Sequence, residues 1–77
     1  MRGYLFKVHF YYSDNVVNYV VGARSEDHAE LLLVDDLYRK YLRLAKFDFD
    51  LIGVCDRFYS NSNGESTELE EGDIITL

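Results

Sequence analysis

Three aspartates near the middle of the chain have the residue type, and in part the spacing, of a metal site. Asp48 and Asp50 would point to the same side of an extended segment, and Asp56 follows shortly after. Carboxylates that converge on one ion can bind a divalent cation and support metal-assisted chemistry. A calcium-binding loop, however, requires an acid or amide where Ile52 stands and a bidentate glutamate where Tyr59 stands. We therefore interpret these acids as solvated residues at the start of a strand and predict no metal site.

The other candidates for catalysis are two histidines and one cysteine, which lie far apart in the sequence. His9 falls on the outer face of a predicted strand and His28 in the first turn of a predicted helix, and neither has the spacing of a metal site or triad. Cys55 has no partner for a disulfide and no adjacent histidine, so we expect a small buried apolar side chain. No phosphate-binding glycine loop or nucleophile elbow is present in the sequence. The sequence predicts a non-enzymatic protein without cofactors; an enzyme using the aspartates with His9 is the weaker alternative.

The negative charge of the chain is concentrated in its C-terminal part. The 77 residues carry 14 acidic and 8 basic side chains, which gives a net charge of -6. Residues 1–47 are nearly balanced, whereas residues 48–77 carry eight acids and a single base, Arg57. This asymmetry favours either attraction to a basic partner or simple solubility. It disfavours contact with the phosphates of a nucleic acid.

Seven tyrosines and five phenylalanines give the chain many aromatic side chains. Sheets that stack nucleic-acid bases combine aromatic residues with a basic surrounding, which this chain lacks in its acidic half. We therefore expect no direct binding of nucleic acid. Aromatic side chains also serve as anchors of protein interfaces, and that role needs no basic surrounding.

Two strands joined by a tight turn are predicted at the N-terminus. Tyr4–Tyr12 alternates between apolar and mixed faces, and Val16–Ala23 is rich in valine and tyrosine. Ser13–Asn15 is a turn signal, because Asp and Asn tolerate positive φ. If the last two of these residues form a two-residue loop, Phe10 opposes Tyr19 and the apolar side chains of both strands share one face.

A helix is predicted from the N-cap Ser25 to about Lys46. Acids occupy its first half and bases its second half, which suits the helix dipole. Its apolar residues cover about half of the circumference, wider than the stripe that a surface helix needs. This width indicates either a closely wrapped sheet or contact with another subunit. The core is expected to contain the following residues: Tyr4, Phe6, Val8, Phe10, Val21, Val34, Leu37, Tyr41 and Leu51.

The C-terminal half predicts two further strands. One lies within Phe47–Ser60, is expected in the middle of the sheet, and is followed by a loop over Ser60–Ser66; the other closes the chain near Ile74 and Leu77. The predicted fold class is α+β, with the order β-β-α-β-β and one long helix packed on one face of a mostly antiparallel four-stranded sheet. We expect a single compact domain over residues 1–77, with 2-1-3-4 as the preferred strand order.

The face of the sheet that a single helix leaves uncovered would be a mixed surface. Its apolar content is higher than a solvated face requires, so it is a candidate surface for a partner or a dimer. The residues expected on it are Leu5, Lys7, His9, Tyr11, Val16, Asn18 and Val20.

These observations predict a small acidic module that binds a protein with a basic surface. Its most specific form is an inhibitor that mimics nucleic-acid charge and occupies the basic groove of a nucleic-acid-handling protein. In size and charge, though in no sequence motif, the chain resembles the small acidic proteins of phages and mobile elements, among them anti-CRISPR inhibitors. The residues expected to bind the partner are Glu68, Glu70, Glu71 and Asp73 through their charge, and Tyr11, Phe58 and Tyr59 as anchors.

The alternative is a homodimeric structural or interaction protein without a charged partner, in which a second copy covers the surplus apolar area. The single free thiol, the absence of a secretory signal pattern at the N-terminus and the lack of a long apolar run favour a cytoplasmic location without membrane contact.

Overall fold

The described part of the chain forms six strands and one helix. The computed structural model describes residues 1–11, 14–41, 46–60 and 63–77, and for Tyr59 only the backbone. The expectations for Tyr12 and for the chain around residues 42–45 and 61–62 therefore lie outside the described residues. The elements in chain order are β1 Arg2–Phe10, β2 Val16–Ala23, α1 Glu26–Lys40, β3 Phe47–Cys55, β4 Phe58–Ser60, β5 Ser66–Glu68 and β6 Ile74–Thr76.

The predicted α+β class is confirmed, because α1 packs on one face of a four-stranded antiparallel sheet. The strand order is β3-β1-β2-β6, and β4 and β5 form a separate two-stranded sheet. Two predictions of detail are wrong: β3 lies at an edge of the sheet, and the closing strand β6 pairs with β2 instead of β3. The physical reason is that residues 69–73 cross from the β3 side of the molecule to the β2 side and carry β6 with them.

The β1–β2 hairpin is confirmed, but its predicted register is wrong by four residues. Tyr19 opposes Phe6 instead of Phe10, and the last pair is His9 with Val16. Beyond this pair the Phe10 N–H donates to the Asn15 carbonyl at 3.4 Å, and the Tyr11 N–H donates to the Lys46 carbonyl, just before β3, at 2.9 Å. A shift by an even number of residues leaves every side chain on its predicted face, so the apolar face is as expected.

The core lies between α1 and the sheet. Ala29, Leu33 and Leu37 recur at the spacing of one helix face and are fully buried against the apolar faces of β1 and β2. The predicted N-cap is confirmed, because the Ser25 hydroxyl accepts the His28 N–H at 3.2 Å.

The predicted helix end near Lys46 is wrong, since α1 ends at Lys40 and Tyr41 caps it. The Tyr41 ring packs on the Phe10 ring with centroids 5.2 Å apart. The Phe47 ring also packs on the Phe10 ring, with centroids 6.0 Å apart. The Phe10 ring therefore contacts both the residue that caps α1 and Phe47, the first residue of β3.

A second, smaller apolar cluster lies on the opposite face of the sheet. Leu69 is only 1% exposed and lies over Gly3 and Val20. The expectation that Val20 is exposed is therefore wrong, because Leu69 covers it. Leu5 is half-buried, and the remaining residues expected on this face are exposed: Lys7, His9, Tyr11, Val16 and Asn18.

Candidate protein-interaction surface

The chain between β3 and Leu69 forms a hairpin that packs little against the four-stranded sheet. β4 and β5 pair in antiparallel register, with Phe58 opposite Glu68. The Leu69 N–H donates to the Arg57 carbonyl at 2.6 Å, and this hydrogen bond closes the base of the hairpin. Gly64, in the connection between the strands, has φ +81°, a conformation that favours glycine. We call residues 56–68 the acidic hairpin. Its described residues are exposed, so any of their side chains can reach a partner.

Phe58 is the large apolar side chain of the acidic hairpin, and it is 53% exposed. The Arg57 guanidinium lies 5.1 Å from the centre of its ring, in cation–π geometry. The same guanidinium pairs with the Glu68 carboxylate across the hairpin at 2.9 Å. The one base of the C-terminal segment is thus already engaged, and Phe58 stands opposite Glu68 in the register of the hairpin.

The four residues that directly follow Leu69, Glu70–Asp73, form a tight turn, which we call the acidic turn. The Asp73 N–H donates to the Glu70 carbonyl at 3.1 Å, and Gly72 has φ +93° at the third position, as this kind of turn requires. The Glu70 N–H donates to an Asp73 carboxylate oxygen at 2.9 Å. Backbone hydrogen bonds from Gly22 to Asp73 and from Gly72 to Gly22, both 2.9 Å, attach the turn to β2.

Glu71 joins the acidic turn to the beginning of α1. Its two carboxylate oxygens lie 3.4 Å from Arg24 Nε and 3.5 Å from His28 Nδ1. A carboxylate near a helix N-terminus is also favoured by the helix dipole. All three side chains are substantially exposed, so these contacts orient the turn more than they stabilise the fold.

The structure brings most of the predicted binding residues to one end of the molecule. Glu68 and Phe58 lie on the acidic hairpin, and the backbone of Tyr59 belongs to strand β4 of the same hairpin. The remaining acids form the acidic turn, where Asp73 accepts a backbone N–H and Glu71 contacts the helix, so both also have structural roles.

Tyr11 does not belong to this group. It follows the last residue of β1, roughly 25 Å along the strand from the end that Leu69 covers. Its hydroxyl donates to the Asp48 carboxylate, and this hydrogen bond raises the pKa of Tyr11. Its ring also makes an edge contact with His9 at 5.7 Å.

The carboxylates considered for metal binding have separate surroundings. Asp48 accepts from Tyr11, Asp50 lies opposite Lys7 in the sheet register, and Asp56 accepts the Arg57 N–H at 2.8 Å. Within the described ranges, no three His, Cys, Asp or Glu side chains are placed to hold a metal ion together. Partial burial and then the Asp56 charge raise the pKa of Cys55, which disfavours the thiolate that a nucleophile requires.

Sequence reasoning missed two residues that build this surface. Leu69 anchors both the acidic hairpin and the acidic turn, and its signal is that it is the one apolar residue between Thr67 and Asp73. Arg57 is the one base of the acidic half and organises the hairpin through Phe58 and Glu68. Neither role follows from composition, because both depend on which strands pair.

Comparisons with protein-family models, with curated proteins and with solved structures find no match to this chain. Within the residues that the structure describes, no helix has the length and apolar character that crossing a bilayer requires.

Proposed function

We propose that the chain is a non-enzymatic module that binds another protein through the acidic hairpin and the acidic turn. The observation that carries this proposal is the exposed Phe58 ring, which lies beside Arg57 and opposite Glu68 on a hairpin that packs little against the sheet. A partly exposed aromatic side chain gives an interface its anchor, and the charged residues around it form a polar rim.

The charge of this surface selects the kind of partner. Residues 56–73 contain six acids and one base, and that base is paired with Glu68. The resulting negative field attracts a basic protein surface, accelerates encounter with it and disfavours acidic partners. The Leu69 N–H bonds the base of the hairpin to Arg57, and backbone hydrogen bonds of Gly22 attach the acidic turn to β2, so both groups of binding residues are connected to the sheet through Leu69 and the turn.

In its most specific form, the proposed module is an inhibitor that mimics nucleic-acid charge, of the kind found in phages and mobile elements. Proteins that bind nucleic acids neutralise phosphates with lysine and arginine, and these side chains also pair with carboxylates. The acidic hairpin would then occupy the groove that binds nucleic acid. Nucleic acid and this chain should therefore compete for the same partner.

A homodimer without a charged partner is the second candidate function. Leu31 on the helix is 70% exposed, and Val16 on the open face of the sheet is also exposed. A second copy would remove such apolar side chains from water. Light scattering at micromolar concentration distinguishes the two, because a monomer eliminates this candidate.

The test of the proposed function uses variants of the hairpin with a matched control. The tagged chain captures its partner from a cell lysate at low salt, and the captured protein is then purified and titrated against each variant. Phe58→Ala should weaken binding about tenfold or more, because the anchor is lost. Glu68→Gln should weaken it less, since the loss of one exposed charge has a small effect.

Asp35→Asn is the control for Glu68→Gln. It removes one exposed carboxylate that also pairs with an arginine, Arg39, but it lies on the helix. It should leave the affinity within about twofold of the parent. Equal affinities for the parent, Phe58→Ala and Glu68→Gln would contradict the proposal.

A further inference from the structure

β3 leaves one long edge of the sheet without a strand partner in the described chain. Eight of its nine residues pair with β1 along one side, whereas the opposite edge of the sheet is the three-residue strand β6. Free N–H and C=O groups of an edge strand can pair with a further strand from another chain. The register shift between Leu5 and Phe6 leaves Ile52 as a bulge, so the regular part of the edge is Phe47–Leu51.

Apolar side chains of α1 and β3 form a partly exposed surface beside this edge, on the helix side of the sheet. Phe47, Phe49 and Leu51 are only half-buried there, although they face the core. The Tyr38 ring of α1 lies 5.6 Å from Phe47, and Leu31 is on the same helical stripe seven residues earlier. Both helix side chains are exposed, so an added strand would find apolar side chains to pack against.

The other face of the same edge is acidic. Asp48 and Asp50 are exposed, and they stand opposite His9 and Lys7 of β1 in the sheet register. Opposite charges across neighbouring strands stabilise a sheet, and like charges destabilise it. An added strand with basic residues at these positions would extend the alternation of charge from β1 through β3.

We propose that the β3 edge binds an extended basic segment of a partner protein as an additional strand. Alternate side chains of the segment are apolar and lie on the apolar surface beside Tyr38, and the others are lysine or arginine beside Asp48 and Asp50. Backbone hydrogen bonds supply affinity in this mode of recognition, and the alternate side chains supply specificity. This surface is separate from the acidic hairpin and goes beyond the proposed function.

A second copy of the chain fits this edge less well than a basic segment. Two-fold antiparallel pairing centred on residues 48–50 would place Asp48 or Asp50 of one copy opposite an aspartate of the other. The charges of the edge therefore disfavour self-association through β3.

The test uses a short fluorescein-labelled peptide that alternates lysine with valine, and its binding to the full chain is followed by anisotropy. We expect binding at micromolar to submillimolar concentration, and a reduction of at least about tenfold for Asp50→Lys. Glu26→Lys makes the same change of charge on an exposed residue in the first turn of α1, outside both proposed surfaces, and should alter peptide binding by less than about twofold. A reduction for Glu26→Lys equal to that for Asp50→Lys would assign the peptide to general charge attraction and overturn the proposal.

Two N-methylated peptides keep the test independent of the folding of any variant. One is methylated on the residues at odd positions and the other on those at even positions. A strand directs alternate N–H groups to opposite sides, so one peptide should lose binding and the other should retain it. Equal binding of the two peptides, or no binding of the parent peptide up to about 1 mM, would overturn the proposal.

Discussion

Truncation of Leu69 to alanine is expected to lower the free energy of unfolding by about 2–5 kcal/mol. Leu69 is 1% exposed, and its side chain lies within van der Waals distance of the position that a Cβ on Gly3 would occupy. A domain of this size has a net stability of roughly 3–5 kcal/mol, so the variant should be close to unfolding at room temperature. Urea unfolding followed by circular dichroism measures the change.

Leu31→Ala is the matched control, because it removes the same atoms from a leucine that is 70% exposed. Its free energy of unfolding should lie within about 0.5 kcal/mol of the parent. If the two alanine variants were equally stable, Leu69 would not be buried as the structure describes.

Substitution of Gly22 by alanine is expected to destabilise the chain by about 1–3 kcal/mol. A Cβ at this position would collide with the carbonyl oxygen of Glu70, which is backbone and cannot rotate away. Two backbone hydrogen bonds hold the acidic turn against Gly22, so a shift of the turn would weaken them as well. The sign is the reverse of that usual for Gly→Ala in a compatible conformation, where alanine stabilises the chain.

Gly53→Ala shows whether the effect comes from the contact rather than from the loss of glycine. Gly53 also lies in a strand, and a Cβ built there has no atom within 4 Å. Its stability should be unchanged or slightly higher. Thermal unfolding of both variants suffices, and equal destabilisation would refute the close approach of Glu70 to β2.

Local patterns predicted the elements that depend on neighbours in sequence. The two-residue period of β1 identifies its buried face, Leu37 of the helix is buried as expected, and Ser25 marks the helix start, whereas Val34 and Tyr41, also expected in the core, are only half-buried. The order of the strands was not predictable in this way. The path of residues 69–73 decides where β6 pairs, and that path depends on contacts of Leu69 with residues distant in sequence.

The candidate site was predictable in its charge but not in its division of roles. Composition identified the acidic segment, and the structure places Glu68 on a hairpin and Glu71 beside Arg24. Tyr11 is separate from the other candidates because it follows the far end of β1. The sequence shows that Tyr11 is aromatic, but it does not show this distance. The net charge of a segment is the sum over its residues and can be read from the sequence. The distance between two side chains depends on which strands pair, and it cannot be read in this way.

The most direct test of the proposed function is the affinity of the chain for its purified captured partner at increasing salt, with and without competing nucleic acid. The account predicts that affinity falls steadily as salt screens the acidic hairpin, and that nucleic acid displaces the chain. Removing carboxylates together, as in Glu68→Gln with Glu70→Gln, should make the salt dependence shallower. An affinity that stays unchanged up to about 1 M salt would contradict recognition by charge, since screening at that concentration extends to about 3 Å.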